Sequence, residues 1–283
     1  MGTRLHLAAA LHATGEEAFT ARRWAELVRE AELGTLDFVT FGDSLGGRPG
    51  LDAVLTAARV APLTTHVGLV PTAVVTHTEP FHLSKAIATL DHVGRGRAGV
   101  ELTVAPDAAD ARHFGRRTVG PEPELWEEAR DYAEVLRRLW DSWEDDAEIR
   151  DEATGRFVDR EKLHYIDFEG RWFKVRGPSI TPRPPQGHPL IAATEPLGDV
   201  VFSDDASASD RLVFRDVDAT TSADQLIAWH EQGFAGFRLH GDLRRITREL
   251  VPELRERGVF RTEYEHTTLR GHLGLARPAN QFA

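Results

Sequence analysis

The chain has 283 residues, 41% of them apolar and 28% charged, and its 34 basic and 45 acidic side chains leave a formal charge of −11. That is the profile of a soluble globular protein with ample length for a core; a nucleic-acid partner is disfavoured by the negative charge, and no apolar run approaches the roughly 18 residues of a membrane span. With no cysteine, disulfides, thiolate nucleophiles, iron–sulfur clusters and Cys-ligated zinc are excluded, and a cytoplasmic location is the expectation.

The opening segment turns acidic without a persuasive cleavage site, so Arg4–Leu11 reads as a first strand and not as part of a signal peptide. In Glu16–Leu33 the residues Trp24, Leu27, Val28 and Ala31 recur at helical spacing. Asp37–Phe41 predicts a short strand that runs into Gly42-Asp43-Ser44. A helix over Leu51–Val60, a strand over His66–Val75, a helix over Pro80–Asp91 and a strand over Arg97–Val104 follow. Glu124–Trp143 predicts a long helix with Leu125, Ala129, Tyr132, Leu136, Leu139 and Trp143 on one face. The charged stretch 144–188 is too long for an ordinary connection. Beyond it, Pro189–Thr194, Asp199–Ser203 and Arg211–Val217 read as strands, Ser222–Gln232 as a helix, Gly236–His240 as a strand and Asp242–Gly258 as a helix. The polar tail 261–283 is expected to lie on the surface.

Strands alternating with helices imply βαβ units and a parallel sheet. About eight strand candidates in a chain of this size suggest a TIM-barrel-like (β/α)8 derivative in one domain spanning 1–283. Two connections break the pattern. Only 195–198 and 204–210 join the last three strands before the Ser222 helix, whereas a parallel crossover ordinarily takes a dozen residues or more. Two helices are therefore missing, and the barrel is expected to be incomplete around strands five and six, or to carry a reversed strand there. Missing helices would expose apolar surface and favour a homo-oligomer.

Gly94-Arg95-Gly96-Arg97-Ala98-Gly99 matches G-x-G-x-x-G but follows a helix and precedes a strand, the reverse of the dinucleotide fingerprint, so it reads as a helix stop and tight turn. His77, Glu79, His82, Asp91 and His92 are the densest group of potential ligands, yet none has H-E-x-x-H spacing, and no metal is expected. His77 and His82 follow a strand at its C-terminal end, where barrel enzymes place their chemistry; the alternative is structural packing. Asp43 follows the second strand in the same way and either contacts a ligand or caps its turn. Thr72 and Thr76 sit on the third strand, and spacing leaves open which one faces inward. The six tryptophans are core by default, and Glu144-Asp145-Asp146 reads as a solvated helix end.

Several segments together resemble one family. These are Leu139-Trp140-Asp141-Ser142-Trp143-Glu144-Asp145-Asp146, Gly155-Arg156-Phe157, Val175-Arg176-Gly177-Pro178 and Pro182-Arg183-Pro184-Pro185-Gln186-Gly187. Thr89-Leu90-Asp91-His92, Val251-Pro252-Glu253-Leu254, Arg261-Thr262-Glu263-Tyr264-Glu265 and His272-Leu273-Gly274-Leu275 add to them. From about Phe38 to Pro278 the chain resembles the luciferase-like flavin-dependent monooxygenases, in particular the branch with the nitrilotriacetate, EDTA and dibenzothiophene-sulfone enzymes, in a shortened form.

The resemblance implies a TIM-like barrel, usually oligomeric. It also implies reduced FMN supplied by a separate flavin reductase, and O2 used to oxygenate a small organic substrate. Asp43 and Thr72 stand where relatives have an Asp and a Thr near the flavin. Other positions depart. Glu101 replaces an Asn on the fourth strand, and Glu122 and Trp126 align with a His and a Tyr at the start of the long helix. Ala192-Ala193-Thr194-Glu195-Pro196 stands where relatives have a Gly-Ser-rich turn into a helix that cradles the FMN phosphate. The expected pocket residues are thus Asp43, Thr72, His77, His82, Glu101 and Trp126, the last able to stack on a ring. One expectation is a reduced-flavin monooxygenase with an altered site. The other is a degenerate homologue acting as a small-molecule binder, partner subunit or non-flavin enzyme. A coenzyme F420-linked reaction is a further option.

Overall fold

The computed structural model describes residues 4–46, 49–115 and 118–283. Eight strands form a closed ring: β1 (His6–Leu11), β2 (Phe38–Phe41), β3 (Gly68–Val74), β4 (Gly99–Thr103), β5 (Leu190–Ala193), β6 (Val200–Phe202), β7 (Leu212–Asp218) and β8 (Gly236–His240). Each is parallel to both neighbours, and β1 closes on β8. Outside the ring lie α1 (Ala21–Leu33), α2 (Ala53–Val60), α3 (Pro80–Val93), α4 (Glu122–Asp141), α5 (Ala223–Glu231) and α6, a helical segment over 243–256 with a π turn at Ile246–Leu250. The helices form where apolar spacing predicts them. In α1 the side chains of Trp24, Leu27, Val28 and Ala31 are buried, and Thr20 caps the first turn.

No helix follows β5 or β6, so the two missing helices are real. The deficit lies in the helical layer alone: the strand ring is complete, and no strand is reversed. The physical reason is strand length. A dozen-residue crossover must return the full length of a strand, but β5 and β6 span four and three residues. Val200 pairs with Ala192, so the chain drops back by only about one residue, on the order of 3–4 Å. Gly198 makes this possible, because a Cβ there would lie 2.2 Å from the Ile191 carbonyl oxygen.

The expected apolar scar is also absent. Ile191, Ala193 and Val213 are at most 2% exposed, in one cluster with Leu197 of the first short loop, and Ala206 of the second packs against it. The short loops cover what helices would otherwise cover.

The tail lies on the surface only in part. Leu269 and Leu273 are buried with Ala8, Phe38, Val70, Leu190 and Phe214, and so plug the N-terminal end of the barrel. Gly68 leaves the room, since a Cβ there would stand 2.6 Å from Leu269 Cδ1. Leu269 N–H donates to the Gly96 carbonyl at 3.0 Å. The Gly94–Gly99 motif is the turn expected: Gly94 caps α3, and Arg95 and Gly96 take positive φ.

The excursion 144–188 carries two small antiparallel hairpins, Glu148–Asp151 with Arg156–Val158 and Phe168–Glu169 with Lys174–Val175. Its start is exposed at Asp145 and Asp146, as expected of a solvated helix end, but the carboxylates of the run are paired. Asp145 accepts from Arg183 Nη1 at 3.0 Å and from Arg277, and these two guanidiniums hold its carboxyl down at about 2. Asp146 pairs with Lys162, and Glu144 with His164. The acidic run clasps the excursion and the tail to α4. Among the described residues no helix is long and apolar enough to cross a membrane.

Candidate functional site

Alternation along the strands divides the barrel interior into two halves. The lower half is apolar: Phe38, Val70, Leu190 and Phe214 meet above the Leu269 plug. Two residues further along β3, β4, β7 and β8 the inward positions become polar, namely Thr72, Glu101, Asp216 and Arg238. This upper half opens at the C-terminal ends of the strands, where barrel enzymes build their sites.

The polar residues form one network. Thr72 Oγ1 donates to Glu101 Oε2 at 3.0 Å. Arg238 Nη1 donates to Glu101 Oε1 at 2.8 Å, and Arg238 Nε and Nη2 donate to the two oxygens of Asp216 at 2.6 and 2.8 Å. The second contact is bidentate, the strong geometry for a guanidinium and a carboxylate. Phe202 lies under the guanidinium, its ring centre 3.6 Å from Cζ. His240 Nε2 shares a hydrogen bond with Asp216 at 2.7 Å, and its ring meets that of His12 at 5.9 Å. Burial alone would raise the Asp216 carboxyl; the hydrogen bonds from Arg238 and His240 outweigh it and hold the group at about 2. Arg238 is raised, because its two carboxylates outweigh the burial that would lower it. Asp216 and Arg238 are therefore held in their charged forms.

Beside it, a cleft of about 370 Å3 lies between α2, α3 and the end of β3, bordered by Asp43, Leu45, Leu55, Thr72, His82 and Leu83. A wider cavity of about 710 Å3 on the other side of Asp43 and Leu45 reaches His12, Trp24 and His113.

The structure gathers four of the six expected residues. Asp43, Thr72 and His82 border the cleft, and Glu101 joins through Thr72. Asp43 also caps its turn, accepting from Ser44 N–H at 2.8 Å and from Ala53 N–H at 2.9 Å. The other two stand apart. His77 stacks on Phe114 with ring centres 4.8 Å apart. Trp126 donates to Glu122 at 3.3 Å and packs partly against the outer core. Sequence reasoning missed Arg238, Asp216 and His240. A usable signal was present, since alternation puts Arg238 on the face opposite to Phe237 and Leu239, so one face of a buried strand carries a charge. Among the described residues no group of three or more His, Asp or Glu is placed to hold a metal ion.

At the exits of β5 and β6 several backbone donors are already engaged. Leu197 N–H reaches the Glu195 carbonyl at 2.7 Å, Asp199 N–H the Ile191 carbonyl at 2.7 Å and Ser203 N–H the Phe214 carbonyl at 3.0 Å. Pro196 has no N–H. Asp205 N–H donates to Ser203 Oγ, and Ser207 N–H to Asp205.

Known proteins match this architecture. The family described as luciferase-like monooxygenase matches residues 3–197, so the match ends in the short turn after β5. Nitrilotriacetate monooxygenase component A of Aminobacter aminovorans is 39% identical over 188 residues, covering 59% of this chain and 42% of that protein. N-acetyl-S-(2-succino)cysteine monooxygenase of Bacillus subtilis (strain 168) is 34% identical over 208 residues, covering 70% of this chain and 47% of that one. The chain thus spans under half the length of these relatives. The solved long-chain alkane monooxygenase (LadA) superposes with a TM-score of 0.88, covering 97% of this chain and 96% of that one at 19% identity, a likeness of fold. The chain belongs to the luciferase-like monooxygenase family.

Proposed function

We propose that this protein is a reduced-flavin-dependent monooxygenase that oxygenates a small organic molecule at the mouth of the barrel, with its flavin reduced by a separate reductase. The observation that carries the reading is the cleft bordered by Asp43, Thr72 and His82, with Glu101 tied to Thr72, at the C-terminal end of a closed barrel of this family. The cleft offers apolar walls from Leu45, Leu55 and Leu83 and a few convergent polar groups, the usual make-up of a small-molecule site. A bound flavin would supply the oxygen-activating chemistry. The protein would orient the ring and exclude water.

The residues fit one part of FMN and not the other. The cleft suits a flat ring. The exits of β5 and β6 do not suit a phosphate, because no helix N-terminus follows either strand and Glu195, Asp204 and Asp205 bring negative charge there. No step of the chemistry is routed through that phosphate.

That mismatch also favours a second reading, a binding or partner subunit without flavin chemistry. Anaerobic titration with reduced flavins, followed by absorbance and fluorescence, separates the two. Saturable binding at or below about 100 µM supports the monooxygenase reading. No binding of any reduced flavin at that concentration removes it and leaves the second.

A further inference from the structure

We infer that His240 is the acid–base group of the barrel mouth, held for proton transfer by Asp216, with Arg238 as the residue that fixes Asp216; this goes beyond the flavin reading and needs no flavin. His240 is the last residue of β8 and lies on the same face as Arg238, two positions earlier. Its side chain is 39% exposed, so the ring is open to a substrate at the mouth while one nitrogen stays on Asp216. Beside it stands His12, whose ring centre is 5.9 Å away and which also borders the cavity of about 710 Å3.

The hydrogen bonds decide which nitrogen is available. Asp216 is ionised, so its oxygens accept and do not donate; the 2.7 Å contact therefore puts the proton of a neutral His240 on Nε2. Nδ1 then carries a lone pair, and among the described residues no hydrogen bond uses it. Asp216 cannot swing away. Arg238 holds both of its oxygens, at 2.6 and 2.8 Å, and Arg238 is itself tied to Glu101 at 2.8 Å and lies on the Phe202 ring. A base oriented by a carboxylate that is itself fixed is the arrangement of an activated acid–base pair. Arg238 stays charged and takes no part in proton traffic. An imidazole is the side chain of this network suited to exchanging a proton near neutral pH.

The step is a proton transfer. A substrate X–H bond, with X an oxygen, a nitrogen or an activated carbon, breaks at the mouth; its electron pair stays on X and the proton goes to Nδ1. The imidazolium so formed keeps its Nε2–H on Asp216, whose negative charge balances it, and then returns the proton to the product or to water. Among the described residues, the titratable and charged groups around the ring are His12 after β1, Asp216 and Asp218 on β7, Arg238 on β8 and Arg245 on α6. Asp218 is engaged by Thr220, at 2.8 Å from its N–H and 2.6 Å from its Oγ1, which leaves Asp216 as the carboxylate in contact with the ring.

The test uses the intact protein without flavin. Nitrogen NMR of the histidine rings at about pH 8, above the ordinary histidine range, is expected to show His240 protonated on Nε2; protonation on Nδ1 overturns the proposal. The base is then offered a nitrobenzisoxazole, whose ring C–H proton passes to a base as its N–O bond breaks and a coloured phenolate is released. The protein is expected to accelerate this ring opening beyond free imidazole at equal concentration, and His240→Gln is expected to lose about tenfold or more of the acceleration. Asp216→Asn keeps the imidazole but not its fixed tautomer and is expected to lose rate as well, with a partial return in Asp216→Glu. An unchanged rate in a folded Asp216→Asn overturns the positioning role; should that variant fail to fold, the tautomer and His240→Gln still decide. Equal rates for the wild type and His240→Gln overturn the proposal and leave the flavin reading standing, since the flavin titration measures that separately.

Discussion

Arg238 on β8 donates to Glu101 on β4 at 2.8 Å, across the barrel and 137 positions apart in the chain. Each side chain is 10% exposed. Such a pair is costly to desolvate, and it is stable here because Asp216 and Thr72 take up the remaining hydrogen-bonding capacity.

Removing one partner should therefore do more damage than removing both. Arg238→Met leaves Glu101 buried without its cation and is expected to cost about 3–5 kcal/mol of stability in urea unfolding. Adding Glu101→Gln should recover part of the loss, with a coupling of about 0.5–3 kcal/mol. Strict additivity would mean that the two side chains do not interact in solution.

The short β5–β6 crossing depends on Gly198. A methyl group there would meet the Ile191 carbonyl oxygen at 2.2 Å, and backbone cannot swing away as a side chain can. Gly198→Ala is expected to lower stability by about 1–3 kcal/mol. An unchanged melting temperature would show that the crossing takes another path.

Leu269 supplies a test of the plug. It is fully buried among Phe38, Val70 and Phe214, so Leu269→Ala is expected to cost about 2–5 kcal/mol. A substitution in a surface tail would cost almost nothing, which makes thermal unfolding decisive.

His272 should make stability depend on pH. Burial outweighs the hydrogen bond its Nε2 gives the His66 carbonyl at 2.8 Å, and the ring falls from 6.5 to about 4. The unfolded chain takes up this proton below pH 6.5, and the folded protein resists until about pH 4. The contribution is thus fully present above pH 6.5 and declines as the pH falls from 6.5 to 4, by a few kcal/mol at most given about 1.4 kcal/mol per unit. His272→Gln should flatten this part of the pH–stability profile relative to the wild type, as measured by chemical denaturation at pH 7 and 4.5. Equal slopes for the two proteins would refute the assignment.

Much of the barrel was legible because the signals are local. Trp24, Leu27, Val28 and Ala31 mark the buried face of α1 whatever the chain does elsewhere, and the few residues between Thr194 and Asp199 cannot hold a helix. The family segments around Leu139–Asp146 and Pro182–Gly187 were legible for the same reason. The site was read less completely. Asp43, Thr72 and His82 were recoverable from their places at strand ends. Trp126 was not excluded, because a position near the start of a helix does not say whether the ring turns to the mouth or to the outer core.

The sequence by itself determined the order of strands and helices, the absence of helices after β5 and β6, and the family. Tertiary structure alone decided that the ring closes with every strand parallel, that Leu269 enters the barrel floor, and that Glu101 and Arg238 meet. The physical reason is that periodicity and spacing act over a few residues, whereas these contacts depend on strand register around a closed ring. In that ring Thr72 stands opposite Glu101 and Asp216 opposite Arg238, and a shift of one residue would turn each of these side chains out of the barrel.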